Sequence, residues 1–190
     1  MKKTIFTLSI IITLYGCASR PKNFTYSYKQ TDTGLAGRID LNGYYVSQHG
    51  CDSTFYSMYM FYPDGLFTIA TTSTISPELI ACFKDGGNSK ICRYPLWGLY
   101  KIEGDLIKTQ SIRTDGGGFV IFRDYRILPD GSLINVSDYV QPEYINLGYM
   151  ENYPSFKDNS CETKARFFPM DAKRDKRECP FIGKSWFTSK

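Results

Sequence analysis

Three short turn signals constrain this chain more than anything else in it. Pro63-Asp64-Gly65, Glu103-Gly104-Asp105 and Pro129-Asp130-Gly131 each stand between two strand-like runs: MYMFY and LFTIA, LYKI and LIKTQ, RIL and SLINV. Proline presets the φ of a turn's first corner, aspartate accepts hydrogen bonds from local amides, and glycine takes a positive φ without strain. Each signal therefore marks the tip of an antiparallel hairpin. With Leu41–Ser47 added, seven strands are expected at 41–48, 54–62, 66–73, 95–102, 105–113, 119–128 and 132–140. KARFFP at 164–169 and the closing FIGKSWF supply an eighth and a ninth candidate. Many short strands on tight turns favour a closed barrel or a sandwich.

At 190 residues the chain suits one domain, and its 13 Phe, 15 Tyr and 2 Trp pack well on pleated sheets. One helix is expected to interrupt the strands. Ser76-Pro77-Glu78 offers an N-cap, a first-turn proline and an acid; Leu79, Ile80 and Phe83 form an apolar stripe, and Gly86-Gly87 ends it. The expected fold is all-β, a single antiparallel meander barrel with one short inserted helix. The strand at 54–62 is unusual because both its faces are apolar. Phe55, Tyr59 and Phe61 lie on one, and Tyr56, Met58, Met60 and Tyr62 on the other. In a small barrel one face lines the interior and the other usually meets water, so this strand needs cover outside. The segment from Tyr139 onward, with Tyr144, Tyr149, Tyr153 and Phe156, is the expected intrachain cover; a second protein or a lipid surface is the alternative.

The N-terminus carries an address. Two lysines precede an apolar run from Thr4 to Tyr15, shorter than the roughly 20 residues that span a bilayer and laid out like an export signal. Leu14-Tyr15-Gly16-Cys17 resembles the bacterial lipoprotein lipobox. That resemblance implies a signal peptide at 1–16, cleavage before Cys17, and acylation of its thiol and amine with chains such as palmitate. The protein is then expected in the bacterial cell envelope, held to a membrane by lipid. No aspartate follows Cys17, which under the enterobacterial sorting rule implies the outer membrane. Residues 17–40 are polar without a clear period and read as a flexible tether, leaving 41–190 as the barrel domain.

Five further cysteines remain in the expected mature chain. Cys82 with Cys92 and Cys161 with Cys179 are candidate disulfides, and Cys51 leaves the count odd. There is no CxxC pair and no Cys/His cluster, so no structural zinc is expected.

LNGYYVS, FYPDGLFTI, WGLYKIEGDLIKTQ and RILPDGSLINV together resemble the lipocalin-like domains of Bacteroidota lipoproteins, over roughly residues 41–140. The calycin signature is Gly-x-Trp with a late-strand arginine stacked on the tryptophan; here Gly43-Tyr44-Tyr45 has Tyr in its place, and Arg166 is the candidate partner. The resemblance implies a barrel that holds a small apolar or amphipathic ligand.

Catalysis finds little support. The single His49 stands near Cys51, but residues two apart rarely aim at one substrate atom, and Ser-based triads lack a second His. Gly116-Gly117-Gly118 has no following Lys-Ser/Thr, and reads as a hairpin loop. No cofactor is called for. The chain has 23 Lys+Arg and 19 Asp+Glu; without Lys2 and Lys3 the balance is 21 to 19, too even for an electrostatic nucleic-acid binder. The run Lys173-Arg174-Asp175-Lys176-Arg177 is read as a solvated turn or helix face.

The best binding clue is FVIFRDYRIL. Phe119, Ile121, Arg123, Tyr125 and Ile127 share one face. If that face is interior, Arg123 is a buried cation beside a phenol, and a buried charge needs a partner. In fatty-acid-binding calycins an arginine and a tyrosine hold a carboxylate, and Arg123 with Tyr125 resembles them in type. The expected ligand-lining set is Arg123, Tyr125, Phe119, Tyr59 and Phe61. A solidly packed barrel whose outer face meets an envelope protein or glycan is the alternative.

Overall fold

The computed structural model describes residues 20–48, 56–72, 95–113, 118–140 and 164–189. The expected helix at 76–87, Cys17, His49, Cys51, Cys82, Cys92 and Cys161, and the expected cover residues Tyr144, Tyr149, Tyr153 and Phe156, lie outside them. Eight strands form: β1 (Gly43–Gln48), β2 (Tyr56–Phe61), β3 (Leu66–Thr72), β4 (Leu96–Glu103), β5 (Leu106–Arg113), β6 (Phe119–Ile127), β7 (Leu133–Val140) and β8 (Lys164–Pro169). They close in meander order, each antiparallel to the next, with β8 returning to β1. The three turn signals join β2–β3, β4–β5 and β6–β7 at one end, where Gly65, Gly104 and Gly131 all take positive φ. We call this the turn end, and the opposite rim the far end. The expected ninth strand, FIGKSWF, is instead a series of turns: Lys184 N bonds Phe181 O, and Phe187 N bonds Lys184 O. These turns bring the Phe181 and Phe187 rings to 5.6 Å, where a strand would hold residues six apart at roughly 20 Å.

Alternation sends Tyr45, Tyr59, Phe61, Phe67 and Tyr125 inward, and none is more than 2% exposed. Their rings interlock: Tyr45 stacks on Tyr59 at 5.9 Å, Tyr59 meets Tyr125 tilted at 4.7 Å, and Phe61 meets Tyr100 edge-on at 5.4 Å. Pairs of this kind add about 0.5–1.5 kcal/mol each beyond their buried area. Gly98 makes the packing possible, since a Cβ there would lie 2.6 Å from the Phe67 ring and against the β5 backbone. Below the rings, a 3-10 turn at Leu35–Gly37 brings Leu35, Ile39 and Leu41 into the same core and plugs the turn end.

The double-sided strand is β2. Its outer Met58 and Met60 are fully buried, in a cluster with Tyr44, Val46 and Ala70 edged by Tyr56 and Met170. A second outer cluster covers β3–β6: Leu66, Trp97, Leu99, Ile112 and Val120 lie beneath Phe24, Tyr28, Phe181 and Phe187. Cover therefore comes from both chain ends. Residues 20–40 are not a loose tether. Phe24, Tyr28, Leu35 and Ile39 are buried, Thr25 and Tyr26 donate their amides to the Gln110 side chain at 2.8 and 3.2 Å, and Tyr28 bridges in parallel to Thr188. Four apolar residues spaced irregularly among polar ones gave no period to read, yet each finds a slot on the barrel.

Polar contacts fasten these ends at the turn end. Asp64 accepts from the Tyr28 hydroxyl at 2.7 Å and from Lys176 at 2.6 Å, and the Tyr62 hydroxyl donates to Arg174 O at 2.7 Å. The basic run is only partly a solvated turn. Arg174 is 4% exposed and paired to Glu178, and Lys173 packs over the Tyr62 ring while donating to Phe61 O. Cys179 is a buried free thiol, and burial pushes its pKa up to about 11; its candidate partner Cys161 lies outside the described residues.

Candidate functional site

Midway up the interior, the aromatic packing gives way to polar side chains. Ser47, Ser57, Thr109, Ser111 and Arg123 lie on the inward-facing phase of β1, β2, β5 and β6, and each is at most 5% exposed. Beyond them toward the far end, Phe119 and Ile121 restore an apolar wall on β6. The arrangement is a polar belt between two apolar zones, with one cation in it.

The sequence-derived set divides along this boundary. Phe119, Ile121, Arg123, Tyr125 and Ile127 do share the inner face of β6 and are all buried. Tyr59 and Phe61 are inward too, but they are locked in the ring layer, with Tyr125 edge-on to Phe61 at 6.0 Å. They form the floor beneath the belt rather than its walls. Tyr125 and Tyr59 lie at the boundary itself. Burial pushes the Tyr59 phenol well above its ordinary titration range; Tyr125 and Tyr45 raise it further, while the Ser47 hydroxyl and Arg123 pull it back. The Tyr59 phenol therefore stays protonated at neutral pH and acts as a hydrogen-bonding group.

In register, Arg123 lies between Thr109 of β5 and Asp138 of β7, and Tyr125 lies opposite Asn135 across a shift in the β6–β7 pairing. Thr109 Oγ1 and Asn135 Oδ1 are buried with no hydrogen-bond partner among the described residues. Such orphaned atoms are uncommon in native interiors. The belt hydroxyls and Asn135 were not singled out in the sequence. The available signal was small polar residues at alternate positions of strands whose other residues read as core, as in Ile107-x-Thr109-x-Ser111.

Other features lie elsewhere. A groove of about 530 Å3 opens at the turn end, between Arg38, Asp40, Pro129, Ser132 and Phe167, on the far side of the aromatic floor from the belt. Arg166, the candidate calycin partner, is exposed on β8, and Phe167 packs against Tyr45 instead, at 5.2 Å. Gly43 keeps its place because a Cβ would run into the Phe167 ring and the Phe168 carbonyl. Among the described residues no group of three or more His, Cys, Asp or Glu could hold a metal ion. Comparison with known proteins finds no matching family model, no curated relative and no solved structure that matches.

Proposed function

We propose that the barrel is a noncatalytic binder of a small amphipathic ligand, whose polar or anionic head is held by Arg123 with Tyr125 and the belt hydroxyls. The observation that carries this reading is a guanidinium only 5% exposed, set in a ring of small hydroxyls above a solid aromatic floor. Arg123 stands in register between Thr109 and Asp138, and Thr109 Oγ1 and Asn135 Oδ1 on the flanking strands are buried with no hydrogen-bond partner among the described residues. The floor limits depth: a ligand would occupy the far half, with Phe119 and Ile121 against its apolar part. The same reading places the protein in the bacterial envelope, lipid-anchored through Cys17 and bound for the outer membrane, on the strength of the lipobox resemblance.

Native mass spectrometry of the exported protein, purified without detergent, tests the proposal. A bound mass that vanishes on organic extraction, and that Arg123→Gln loses while keeping its circular dichroism, is the expected result. A clean apo mass, unchanged by fatty acids and envelope lipid extracts, would overturn it. One observation favours a second reading, in which Arg123 is structural and the barrel serves as an envelope interaction module: the register position of Asp138 directly across from Arg123. Under that reading Arg123→Gln unfolds more easily and no ligand is found.

A further inference from the structure

The groove at the turn end has a chemistry of its own. Residues 36–40 cross this end between two hairpin corners: the Arg38 guanidinium donates to Gly104 O at the β4–β5 turn, and a Cβ on Gly131 of the β6–β7 turn would lie 3.5 Å from Arg38 O. Ile39 turns inward and is 5% exposed, so its neighbours Arg38 and Asp40 stand outside, both on the groove. The apolar part of the lining comes from Ile39, Tyr45, Pro129, Ala165 and Phe167, of which Phe167 is half-exposed and Pro129 exposed. A volume of about 530 Å3 falls within the roughly 300–1,000 Å3 of small-molecule sites.

Two opposite charges on this groove are each held in place, yet neither has an ion pair among the described residues. Asp40 Oδ1 accepts the Asn42 amide at 2.7 Å, and Asp40 O accepts the Tyr45 hydroxyl at 2.9 Å, which fixes both the carboxylate and its backbone. The side chain of Arg38 is drawn to a neutral carbonyl, that of Gly104. Lys173 is close enough for Asp40 to act on its charge, but its ammonium is engaged by Phe61 O and the Tyr62 ring. The acids nearby are answered within the chain: Asp130 accepts from Ser132 and from Lys164 at 3.1 Å, and Asp105 pairs with Arg126. Charges already restrained by the backbone give up less freedom when they bind. A ligand that answers both needs a carboxylate for the guanidinium fork and an ammonium for Asp40. A fatty carboxylate would satisfy Arg38 and meet a like charge at Asp40; a simple amine would do the reverse. The apolar lining adds a third requirement, an apolar substituent. An α-amino acid with an apolar side chain carries all three on one carbon.

We propose that the turn-end groove binds an apolar α-amino acid as its zwitterion, with the carboxylate on Arg38, the ammonium on Asp40 and the side chain against Phe167 and Pro129. The site is separate from the belt, since the stacked Tyr45 and Tyr59 rings stand between them. Isothermal titration of the exported protein, purified without detergent, carries the test, with phenylalanine and leucine as probes. Wild type should bind both. It should bind 2-phenylethylamine and 3-phenylpropionate, each lacking one of the two charges, several-fold more weakly than phenylalanine. Arg38→Gln and Asp40→Asn, both at exposed positions, should each lower phenylalanine affinity several-fold, and Arg123→Gln should leave it unchanged. No heat with either amino acid, or equal affinity for phenylalanine and its two singly charged analogues, would overturn the proposal on the wild-type protein alone. Binding that survives Arg38→Gln and Asp40→Asn but is lost in Arg123→Gln would place the probe in the belt and overturn it equally.

Discussion

The two halves of the barrel interior are built to different rules. Toward the turn end, Tyr45, Tyr59, Phe61, Phe67 and Tyr100 interlock over a plug of Leu35, Ile39 and Leu41. Across the middle, small hydroxyls surround a cation and leave two polar atoms without partners among the described residues. A packing layer of large rings maximises dispersion contacts and tolerates little change. A belt of small polar groups gives up that packing, which a fold retains only where something else is gained. The contrast separates a layer built for packing from a layer that packing alone does not explain.

The largest test of that contrast is Phe61→Ala, which should destabilise by about 3–5 kcal/mol in denaturant titrations, because the surrounding rings cannot collapse into the space. A cost under about 1 kcal/mol would mean that the ring layer is not the stabilising half. Outside the ring layer but at the same end, Asp64 should give the fold an acid-sensitive fastening. Burial alone would raise its carboxyl, but the Lys176 ammonium and Tyr28 hydroxyl hold it below the usual range. A depressed folded-state value means the contribution is present above about pH 4 and fades as pH falls through the folded value. Wild type should therefore lose more stability than Asp64→Asn between pH 5 and pH 3 (about 1 kcal/mol, on the scale of a part-exposed pair), and parallel pH curves would remove Asp64 from the account.

In the belt, Thr109→Val should be neutral or stabilising by up to about 1 kcal/mol, since it replaces an orphaned hydroxyl with a methyl of like shape. A clear loss would show that Thr109 already has a partner. A pH-dependent effect is expected from Lys173, whose pKa is pushed down to about 8, chiefly by burial against Tyr62 and Phe61. Below that value the folded state carries a charge it solvates poorly. Between about pH 8 and pH 10.4 the unfolded chain holds more protons, so stability rises with pH there. Lys173→Met should flatten that rise, and thermal melts at pH 7.5 and pH 9.5 would show whether it does.

Much of the architecture was legible because turns and alternation are local. The Pro-Asp-Gly corners announce their hairpins, and the eight strands lie within a residue or two of the expected spans. The inner face of β6 was legible for the same reason. What resisted reading depends on contacts between distant segments. Phe24, Tyr28, Leu35 and Ile39 carry no period, so nothing local marks 20–40 as packed, and FIGKSWF looks like a strand until Phe187 is seen to bond Tyr28. The belt was hidden differently, because Ser47, Ser57 and Thr109 are unremarkable until alternation on four strands aims them at one volume.

The bridge between Tyr28 and Thr188 joins positions that synthesis separates by nearly the whole domain. Topologically the domain is close to a ring: a linker from Ser189 back to Arg20, long enough to run back along the Phe24–Tyr28 segment, would let the chain be reopened at an exposed corner such as Glu103-Gly104 and still trace the same barrel. In the natural order the closing residues emerge last. The outer cover of β3–β6 therefore cannot be completed until those residues have been made, and until then Trp97, Leu99 and Ile112 present a bare apolar face that a chaperone would have reason to hold.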